Sequence, residues 1–238
     1  TPSPKIILQA FADVKPELVI AVPLIIEKII KKNVLPKLET PTMKFLLKVP
    51  IVSDKIKEKV CEQIKGAFGG NFYEVVVGGA AFNQEIEQFM RSINFPYTVG
   101  YGMTECSPLI AYEDWKEFKQ ASCGKPVHRM EVKILSPDPQ NIVGEIVCKG
   151  DNVMLGYYKN PEATAEAIDK DGWLHTGDLA RRLPDGNFKI TGRIKDMIIR
   201  GGENIYPKEI EDFLYTHPKV KDVQVIGVPD KDYGEEIM

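Results

Sequence analysis

The sequence predicts an α/β protein built in three successive parts. Residues 1–121 are expected to form part of a parallel-sheet α/β domain, because strand-like and helix-like apolar segments alternate there. Residues 122–194 are expected to form an antiparallel β-barrel-like subdomain, because short strand-like segments are separated by turns rich in Pro, Gly, Asp and Asn. Residues 195–238 return to a strand, helix and strand order, which predicts the start of a small α+β C-terminal domain.

The composition is typical of a soluble globular protein. Hydrophobic residues make up 43% and charged residues 27% of the 238 residues, and the net charge of −3 gives no general argument for nucleic-acid binding. The longest apolar run, residues 18–26, is interrupted by Pro23 and is too short to span a bilayer. The four cysteines are spaced for neither a zinc site nor a disulfide framework, so a reducing cytoplasm is the expected location.

Residues 28–65 are strongly basic, with ten lysines against four acidic residues. This segment either forms a solvated face or makes weak peripheral contact with an anionic membrane surface. The chain starts at Thr1, and Met238 follows GEEI, which resembles the opening of a new element. We therefore expect the chain to be an internal fragment of a longer protein.

Glycines follow two of the strands predicted in the first part. LVIA (18–21) predicts a buried strand, and Pro23 suits the first turn of the helix after it. YEVVV predicts a strand that ends at Gly78, and PYTV predicts one that ends at Gly100. Between them lies a predicted helix with apolar residues on one face, namely Phe82, Ile86, Phe89 and Ile93. A parallel pair with a crossover helix places GGAA and GYGMTE side by side at the carboxyl edge, where such sheets bind ligands.

The later segments predict further strands and one helix. Strands are predicted at MEVKIL, GEIVCKG, MLGYY, WLHTG, LARRL and FKITG, with a hairpin turn at PDGN (184–187). After Arg193, DMIIR predicts a strand, YPKEIEDFLYTH a helix with Pro207 in its first turn, and VKDVQVIGVPD a strand.

The residue types in YGMTE suit a nucleotide. Tyr101 can offer its ring to a flat base, and the glycines on either side of it allow a ligand to approach the backbone closely. Thr104 can donate its hydroxyl to a phosphate oxygen, and Glu105 can hold Mg²⁺, which favours carboxylate and phosphate ligands. A Gly-Tyr-Gly loop by itself can equally be structural.

Two later residues suit a ribose or a phosphate. Asp178 in HTGD could accept hydrogen bonds from both ribose hydroxyls, although Gly-Asp turns usually only cap local structure. Arg193 carries a permanently charged fork of donors that suits phosphate or ribose oxygens. His128, His175 and His217 lack the spacing of metal ligands, and a structural role is expected for His175.

A series of motifs occurs in one order along the chain. They are GGAA, GYGMTE, GEIVCKG followed by GYYKNPEAT, GWLHTGDLARRLPDG and GRIKDMIIRGGENIYPKEIE. Together they closely resemble the adenylate-forming superfamily of acyl-CoA synthetases, amino-acid adenylation domains and luciferases. The resemblance covers essentially the whole chain and is strongest to the fatty acyl-CoA synthetases.

The resemblance implies roles for individual residues. Gly78, Gly79 and Ala80 would line the adenine and the acyl carboxylate, while Tyr101, followed by Gly102, would stack on adenine.

Further roles are implied for the phosphate, the metal and the ribose. Thr104 would contact the α-phosphate, and Glu105 would bind Mg²⁺. Asp178 would hold the ribose hydroxyls, and Arg193 would support the nucleotide. Lys195 would be the hinge on which the C-terminal domain rotates.

The resemblance implies an AMP-forming fatty acid–CoA ligase that uses ATP, Mg²⁺ and CoA. The loop at Gly201 and Gly202 would line the tunnel for the pantetheine of CoA. A medium- to long-chain fatty acid would be activated as the acyl-adenylate and passed to the CoA thiol. Two alternatives are a non-catalytic piece that keeps partial nucleotide or acyl affinity, and an amino-acid adenylation domain that feeds a carrier protein.

Two parts of the family pattern have no counterpart in this sequence. GAFGG (66–70) lacks the hydroxyls and the lysine of the family's phosphate loop, and the family's adenylation lysine would fall beyond Met238. We therefore expect the 238-residue chain by itself to be inactive. Cys106 has no base placed to activate it and is interpreted as a packing residue.

Overall fold

The computed structural model describes residues 4–215, 217, 219–220 and 223–238. The chain divides into two compact units. Unit 1 comprises Thr1–Gly102 and Tyr112–Gly124, and unit 2 comprises Met103–Ala111 and Lys125–Met238. No helix in the described ranges is both long enough and apolar enough to cross a membrane.

Unit 1 is an α/β structure built on a parallel sheet. Its helices are α1 (Pro4–Val14), α2 (Pro23–Asn33), α3 (Leu35–Leu38), α4 (Pro41–Leu46), α5 (Pro50–Ala67) and α6 (Gln84–Ser92). Its strands are β1 (Leu18–Ala21), β2 (Glu74–Val77), β3 (Tyr97–Val99) and β4 (Tyr101–Gly102). Strands β1, β2 and β3 lie side by side in that order, and both pairs are parallel. The predicted parallel-sheet part is therefore confirmed.

The core of unit 1 lies between this sheet and its helices. Helix α6 begins where the Asn83 side chain accepts a hydrogen bond from the backbone N–H of Ile86 at 3.1 Å. Its predicted apolar face packs inward, because Phe82, Ile86 and Ile93 are buried in the core cluster and Phe89 is partly buried against it. Helix α2 begins at Pro23, as predicted.

Unit 2 is rich in antiparallel strands. They are β5 (Leu109–Tyr112, whose last residue belongs to unit 1), β6 (Lys125–Pro126), β7 (Met130–Leu135), β8 (Gly144–Gly150), β9 (Leu174–Arg182), β10 (Phe188–Arg193), β11 (Ile198–Arg200), β12 (Glu203–Ile205), β13 (Gly227–Asp230) and β14 (Gly234–Ile237). Its helices are α7 (Pro161–Ala167) and α8 (Pro207–Tyr215), and 3₁₀ turns lie at Thr104–Cys106 and Ile194–Asp196.

The predicted antiparallel subdomain is confirmed as an open sheet. Its strand order is β10-β9-β8-β7, and within the described ranges it does not close into a barrel. A second sheet, in the order β12-β11-β14-β13, contains the strands that flank α8 and confirms the predicted α+β character of the C-terminal residues.

Three local predictions need correction. MLGYY forms no strand, because residues 154–158 follow an irregular path and the backbone N–H of Met154 bonds to the carbonyl of Glu105 at 2.7 Å. WLHTG and LARRL form one continuous strand, β9. The strand predicted at VKDVQVIGVPD is confined to β13 among the described residues, and its positions 221–222 lie outside them.

Candidate functional site

The carboxyl edge of the parallel sheet in unit 1 brings two of the predicted glycine segments together. The backbone N–H of Gly78 bonds to the carbonyl of Ala21, and that of Gly100 bonds to the carbonyl of Val77, at 3.1 and 2.9 Å. A Cβ atom on Gly78 would lie 3.4 Å from the carbonyl oxygen of Gly100. GGAA and GYG therefore lie side by side, as the predicted topology requires.

The residues after these strand ends are accessible. Gly79 has φ of +85°, which favours glycine, and both Gly79 and Ala80 are exposed. Tyr101 is half-buried in β4, and Gly102 is exposed beside it. This edge of unit 1 therefore combines accessible backbone with one aromatic ring, which suits a flat ligand.

The 3₁₀ turn at Thr104–Cys106 in unit 2 is held by residues 148–154. The Asn152 amide donates to the carbonyl oxygens of Cys106 and Leu109, at 2.7 and 3.0 Å. The buried thiol of Cys106 lies 3.5 Å from that of Cys148 on β8. Cys106 is therefore a packing residue. In the same turn, Thr104 is exposed and Glu105 is half-buried.

Glu105 has a phenolic partner. The hydroxyl of Tyr157 donates to Oε1 of Glu105 at 2.9 Å, and this hydrogen bond raises the pKa of the Tyr157 phenol. The described residues contain no cluster of three or more His, Cys, Asp and Glu side chains suited to a metal. A single carboxylate fits Mg²⁺, because this ion is commonly held by one or two carboxylates together with substrate phosphates and water.

Asp178 and Arg193 face each other across strands β9 and β10. Nε of Arg193 lies 3.1 Å from Oδ1 of Asp178. The side chain of Asp178 is 12% exposed and that of Arg193 is 58% exposed. The two residues that the sequence assigned to one nucleotide are thus adjacent, with the arginine on the outside.

The turn before Asp178 is held from the neighbouring strand. Oε1 of Glu145 on β8 accepts the backbone N–H of Gly177 at 3.0 Å, and Oε2 lies 2.8 Å from Nδ1 of His175. The hydroxyl of Thr176 donates to the carbonyl of Ile146 at 2.7 Å. His175, which is part of this turn, is therefore bound to the Glu145 carboxylate on β8.

The residues predicted for the hinge and for CoA lie at two tight turns of unit 2. Lys195 is the exposed middle residue of the 3₁₀ turn between β10 and β11. Gly201 and Gly202, with φ of +58° and +90°, form the two-residue connection of the β11–β12 hairpin, in which Arg200 pairs with Glu203. This hairpin alone accounts for glycine at both positions, because its turn requires positive φ.

A family model described as AMP-binding enzyme matches residues 1–158. The chain belongs to the AMP-binding enzyme family. The matched range contains the predicted residues from Gly78 to Glu105, whereas Asp178, Arg193 and Lys195 lie beyond it.

Curated relatives of this chain are acyl-CoA synthetases and ligases. The chain is 50% identical over 147 residues to a putative acyl-CoA synthetase, YngI, of Bacillus subtilis, covering 58% of this chain and 27% of that protein. It is 46% identical over 172 residues to the mitochondrial medium-chain acyl-CoA ligase ACSF2 of Homo sapiens, covering 68% and 28%. It is 40% identical over 166 residues to a long-chain-fatty-acid–CoA ligase of Escherichia coli, covering 67% and 29%. The chain thus spans less than a third of the length of each relative.

Solved structures of adenylate-forming enzymes share the fold. The o-succinylbenzoate CoA synthetase MenE of Bacillus subtilis, in complex with its acyl-adenylate intermediate, superposes with a TM-score of 0.76 at 26% identity. That match covers 99% of this chain and 43% of MenE. The same enzyme in complex with ATP and magnesium ion gives a TM-score of 0.74 at 26% identity, covering 99% and 43%.

Sequence reasoning missed three side chains around these residues. Tyr157 was assigned to a strand, and Asn152 and Glu145 were given no individual role. Glu145 and Tyr157 lie in the GEIVCKG and GYYKN motifs, so the motifs marked the right segments. Which side chain contacts the Asp178 turn or Glu105 depends on strand register and on the path of a loop.

Proposed function

We propose that the protein activates a medium- to long-chain fatty acid as its acyl-adenylate with ATP and transfers the acyl group to CoA. The observation that carries this proposal is the Asp178–Arg193 pair, in which a carboxylate and a guanidinium suited to one nucleotide lie 3.1 Å apart. The similarity to acyl-CoA ligases at 40–50% identity supports CoA as the acceptor, rather than a carrier protein.

Each unit carries residues that we assign to nucleotide binding. In unit 1, Gly78, Gly79 and Ala80 line the adenine and the acyl carboxylate, and the ring of Tyr101 stacks on the base. In unit 2, Asp178 accepts hydrogen bonds from the two ribose hydroxyls. Arg193, whose side chain is 58% exposed beside Asp178, supports the nucleotide with its guanidinium.

The first half-reaction needs no protein nucleophile. A carboxylate oxygen of the fatty acid attacks the α-phosphorus, the bond to the bridging oxygen breaks, and pyrophosphate leaves. The exposed hydroxyl of Thr104 donates to an α-phosphate oxygen, where negative charge is spread in the transition state. Bound Mg²⁺, held by Glu105, would neutralise phosphate charge.

In the second half-reaction, the CoA thiol gives up its proton to water, its sulfur attacks the acyl carbonyl carbon, and the carbon–oxygen bond to AMP breaks so that AMP leaves as the phosphate anion. The products are acyl-CoA and AMP. We assign the Gly201–Gly202 turn to the pantetheine tunnel and Lys195 to the hinge between the two half-reactions. Both assignments follow from the family resemblance, and an exposed two-glycine turn allows a ligand to pass close to the backbone.

A fatty acyl group is the substrate that the residues near the carboxyl edge favour. The small residues from Gly78 to Ala81 leave room beside the carboxylate. Ile86 is fully buried in unit 1, so it belongs to the core, whereas Phe89 is only partly buried. Each methylene buried in a tunnel contributes about 0.8 kcal/mol of binding until the tunnel is full.

The basic segment 28–65 supports a location at a membrane surface as part of this proposal. Its lysines are mostly exposed, for example Lys48 and Lys55. Phe45 and Ile51 are 69% and 74% exposed within the same segment. Basic and apolar side chains together suit weak binding to anionic lipid. A cytoplasmic location stays a prediction, since one relative is mitochondrial by name.

Substrate competition tests the proposed function. The intact protein is assayed with ATP, Mg²⁺ and CoA against acetate, octanoate, palmitate, ferulate and several amino acids, and AMP and the thioester are both quantified. We expect kcat/KM to rise from acetate to octanoate by several orders of magnitude, at about fourfold per buried methylene. A preference for acetate, ferulate or an amino acid would overturn the fatty-acid assignment, and AMP release without a thioester would overturn CoA as acceptor.

The 238-residue chain by itself is proposed to be inactive. It lacks a hydroxyl-rich phosphate loop with a lysine, and GAFGG does not replace one. Purified chain is expected to produce no AMP when fatty acid, ATP, Mg²⁺ and CoA are supplied. AMP production that depends on both the acid and CoA would disprove this.

A further inference from the structure

We propose that Glu145 is a positioning residue for nucleotide binding: it holds the main chain of the turn at residues 175–178 so that the Asp178 carboxylate faces the ribose hydroxyls. This inference rests on the proposed function, because it takes Asp178 as the ribose ligand. Glu145 itself touches no substrate in this proposal.

Both oxygens of the Glu145 carboxylate contact residues of that turn. Oε1 accepts the backbone N–H of Gly177 at 3.0 Å, and Oε2 lies 2.8 Å from Nδ1 of His175. The Glu145 side chain is 15% exposed, so these contacts are mostly sheltered from water. One side chain on β8 therefore binds the residue immediately before Asp178 and the residue three positions before it.

The turn needs this support because it is a β-bulge. Glu145 pairs with Leu179 and Val147 pairs with His175, so three residues of β9 stand opposite Ile146 alone. Residues in a bulge lose regular ladder hydrogen bonds, and their buried backbone groups need other partners. Glu145 supplies one such partner, to the N–H of Gly177.

The hydroxyl of Thr176 supplies two more partners within the bulge. It donates to the carbonyl of Ile146 at 2.7 Å and accepts the N–H of Asp178 at 3.1 Å. Gly177 has φ of +71°, a conformation that L side chains rarely adopt. The direction of the Asp178 side chain is thus set by hydrogen bonds of the backbone N–H groups of Gly177 and of Asp178 itself.

A second reason for tight positioning lies on the other side of Asp178. The β9–β10 pair also shifts register, between Ile190 and Gly192, immediately before Arg193 pairs with Asp178. Without a fixed turn, Arg193 would be the main side-chain partner of the carboxylate, and its own side chain is 58% exposed. In this proposal Glu145 therefore positions the Asp178 carboxylate, which binds the ribose, by holding the main chain of the turn.

The test compares two nucleotides across a set of variants of the intact protein. ATP and 2′,3′-dideoxy-ATP differ only in the ribose hydroxyls, so the ratio of their Kd values reports that contact alone. Asp178→Ala should abolish the preference for ATP, and Glu145→Ala should reduce it by about tenfold, as expected when charge-assisted hydrogen bonds are misaligned. Affinity for the dideoxy nucleotide should stay within about twofold of wild type in both variants.

Matched variants separate positioning from general damage. Glu145→Gln keeps an oxygen for the Gly177 N–H and should retain most of the preference. Glu131→Ala, at an exposed carboxylate on neighbouring β7, should keep all of it. If Glu145→Ala does not fold, Thr176→Val tests the same turn and should also lower the preference. Thermal unfolding of every variant is measured in parallel.

The outcomes are distinguishable. If Glu145→Ala weakens both nucleotides equally, or keeps the preference while Asp178→Ala loses it, the positioning role is wrong and the proposed function stands. If Asp178→Ala keeps the preference, the ribose assignment within the proposed function fails, and the role of Glu145 fails with it.

Discussion

Nε of Arg193 lies 3.1 Å from Oδ1 of Asp178, and the Arg193 side chain is 58% exposed whereas that of Asp178 is 12% exposed. An ion pair with one exposed partner contributes little to stability, typically about 0–1 kcal/mol. A contribution to the free energy of unfolding is therefore too small to explain why these two residues are paired. We attribute the pair to nucleotide binding instead.

Arg193→Lys should weaken ATP use without unfolding the protein. Lysine keeps the charge but loses the planar fork of donors, so the apparent KM for ATP should rise by about tenfold. The free energy of unfolding in urea should change by less than about 1 kcal/mol. Arg182→Lys, at an exposed site on β9, serves as the control. ATP kinetics equal to wild type in Arg193→Lys would contradict the assignment.

The Tyr157–Glu105 hydrogen bond leads to a prediction about the metal. Tyr157→Phe removes only the hydroxyl that orients the Glu105 carboxylate. The Mg²⁺ concentration for half-maximal activity should rise by about tenfold, as is typical when a partner of a metal ligand is lost. Direct binding of Mn²⁺ in the presence of ATP, followed by its EPR signal, should weaken in parallel.

Tyr158→Phe is the matched control for this experiment, because Tyr158 is 88% exposed next to Tyr157. It should leave metal binding unchanged. An unchanged Mn²⁺ affinity in Tyr157→Phe would show that the hydroxyl does not act on the metal site.

Lys195→Pro tests the hinge. Proline fixes φ at residue 195 and restricts the backbone of Ile194 before it, so rotation at the 3₁₀ turn is obstructed. We expect adenylate formation, measured by exchange of pyrophosphate into ATP, to survive while thioester formation falls by at least about tenfold. Equal loss of both half-reactions, in a variant with wild-type circular dichroism, would argue against a hinge here.

Glu87 predicts a pH dependence of stability. It is 3% exposed on α6, where burial raises its pKa to about 7, although its Oε1 accepts the backbone N–H of Ala121 at 3.1 Å. Since the folded-state pKa lies above the unfolded value, its stabilising contribution is complete below about pH 4.5 and is lost as the pH rises through about 7. The wild-type free energy of unfolding should therefore fall from pH 5 to pH 8 by up to about 3 kcal/mol from this group.

Glu87→Gln should remove that fall, because the amide stays neutral and still accepts from Ala121. Glu85→Gln, at an exposed position on the same helix, should keep it. Urea unfolding at pH 5 and pH 8 measures both. A pH slope in Glu87→Gln equal to that of wild type would show that Glu87 titrates normally.

Short-range patterns were sufficient for many of the elements. Pro23 marks the start of α2, PDGN forms the turn between β9 and β10, and Gly78 and Gly100 follow parallel strands, as predicted. These signals are local because a fixed φ, a missing Cβ or a self-bonding side chain acts within a few residues. The order of the motifs likewise predicted the family that the comparison with known proteins established.

Where local patterns failed, a distant partner decided the outcome. MLGYY has the aromatic content of a strand, yet its backbone bonds to Glu105 and Tyr157 reaches the same residue. A strand needs a neighbour to pair with, and this segment bonds to a turn almost 50 residues earlier instead. The antiparallel subdomain predicted from the hairpin spacing is present, as a four-stranded sheet in the order β10-β9-β8-β7.

The sequence by itself determined the family, the parallel sheet with glycines at its carboxyl edge, and the residue types that suit ATP. The tertiary structure alone decided that Arg193 contacts Asp178, that Glu145 holds the turn before it, and that Tyr157 binds Glu105. Each of these contacts joins residues 15 to 52 positions apart. The contacts of Asp178 and of the turn before it depend on strand register, where a shift of one residue turns every side chain to the opposite face. The contact between Tyr157 and Glu105 depends on the path of an irregular loop. No local pattern encodes either choice.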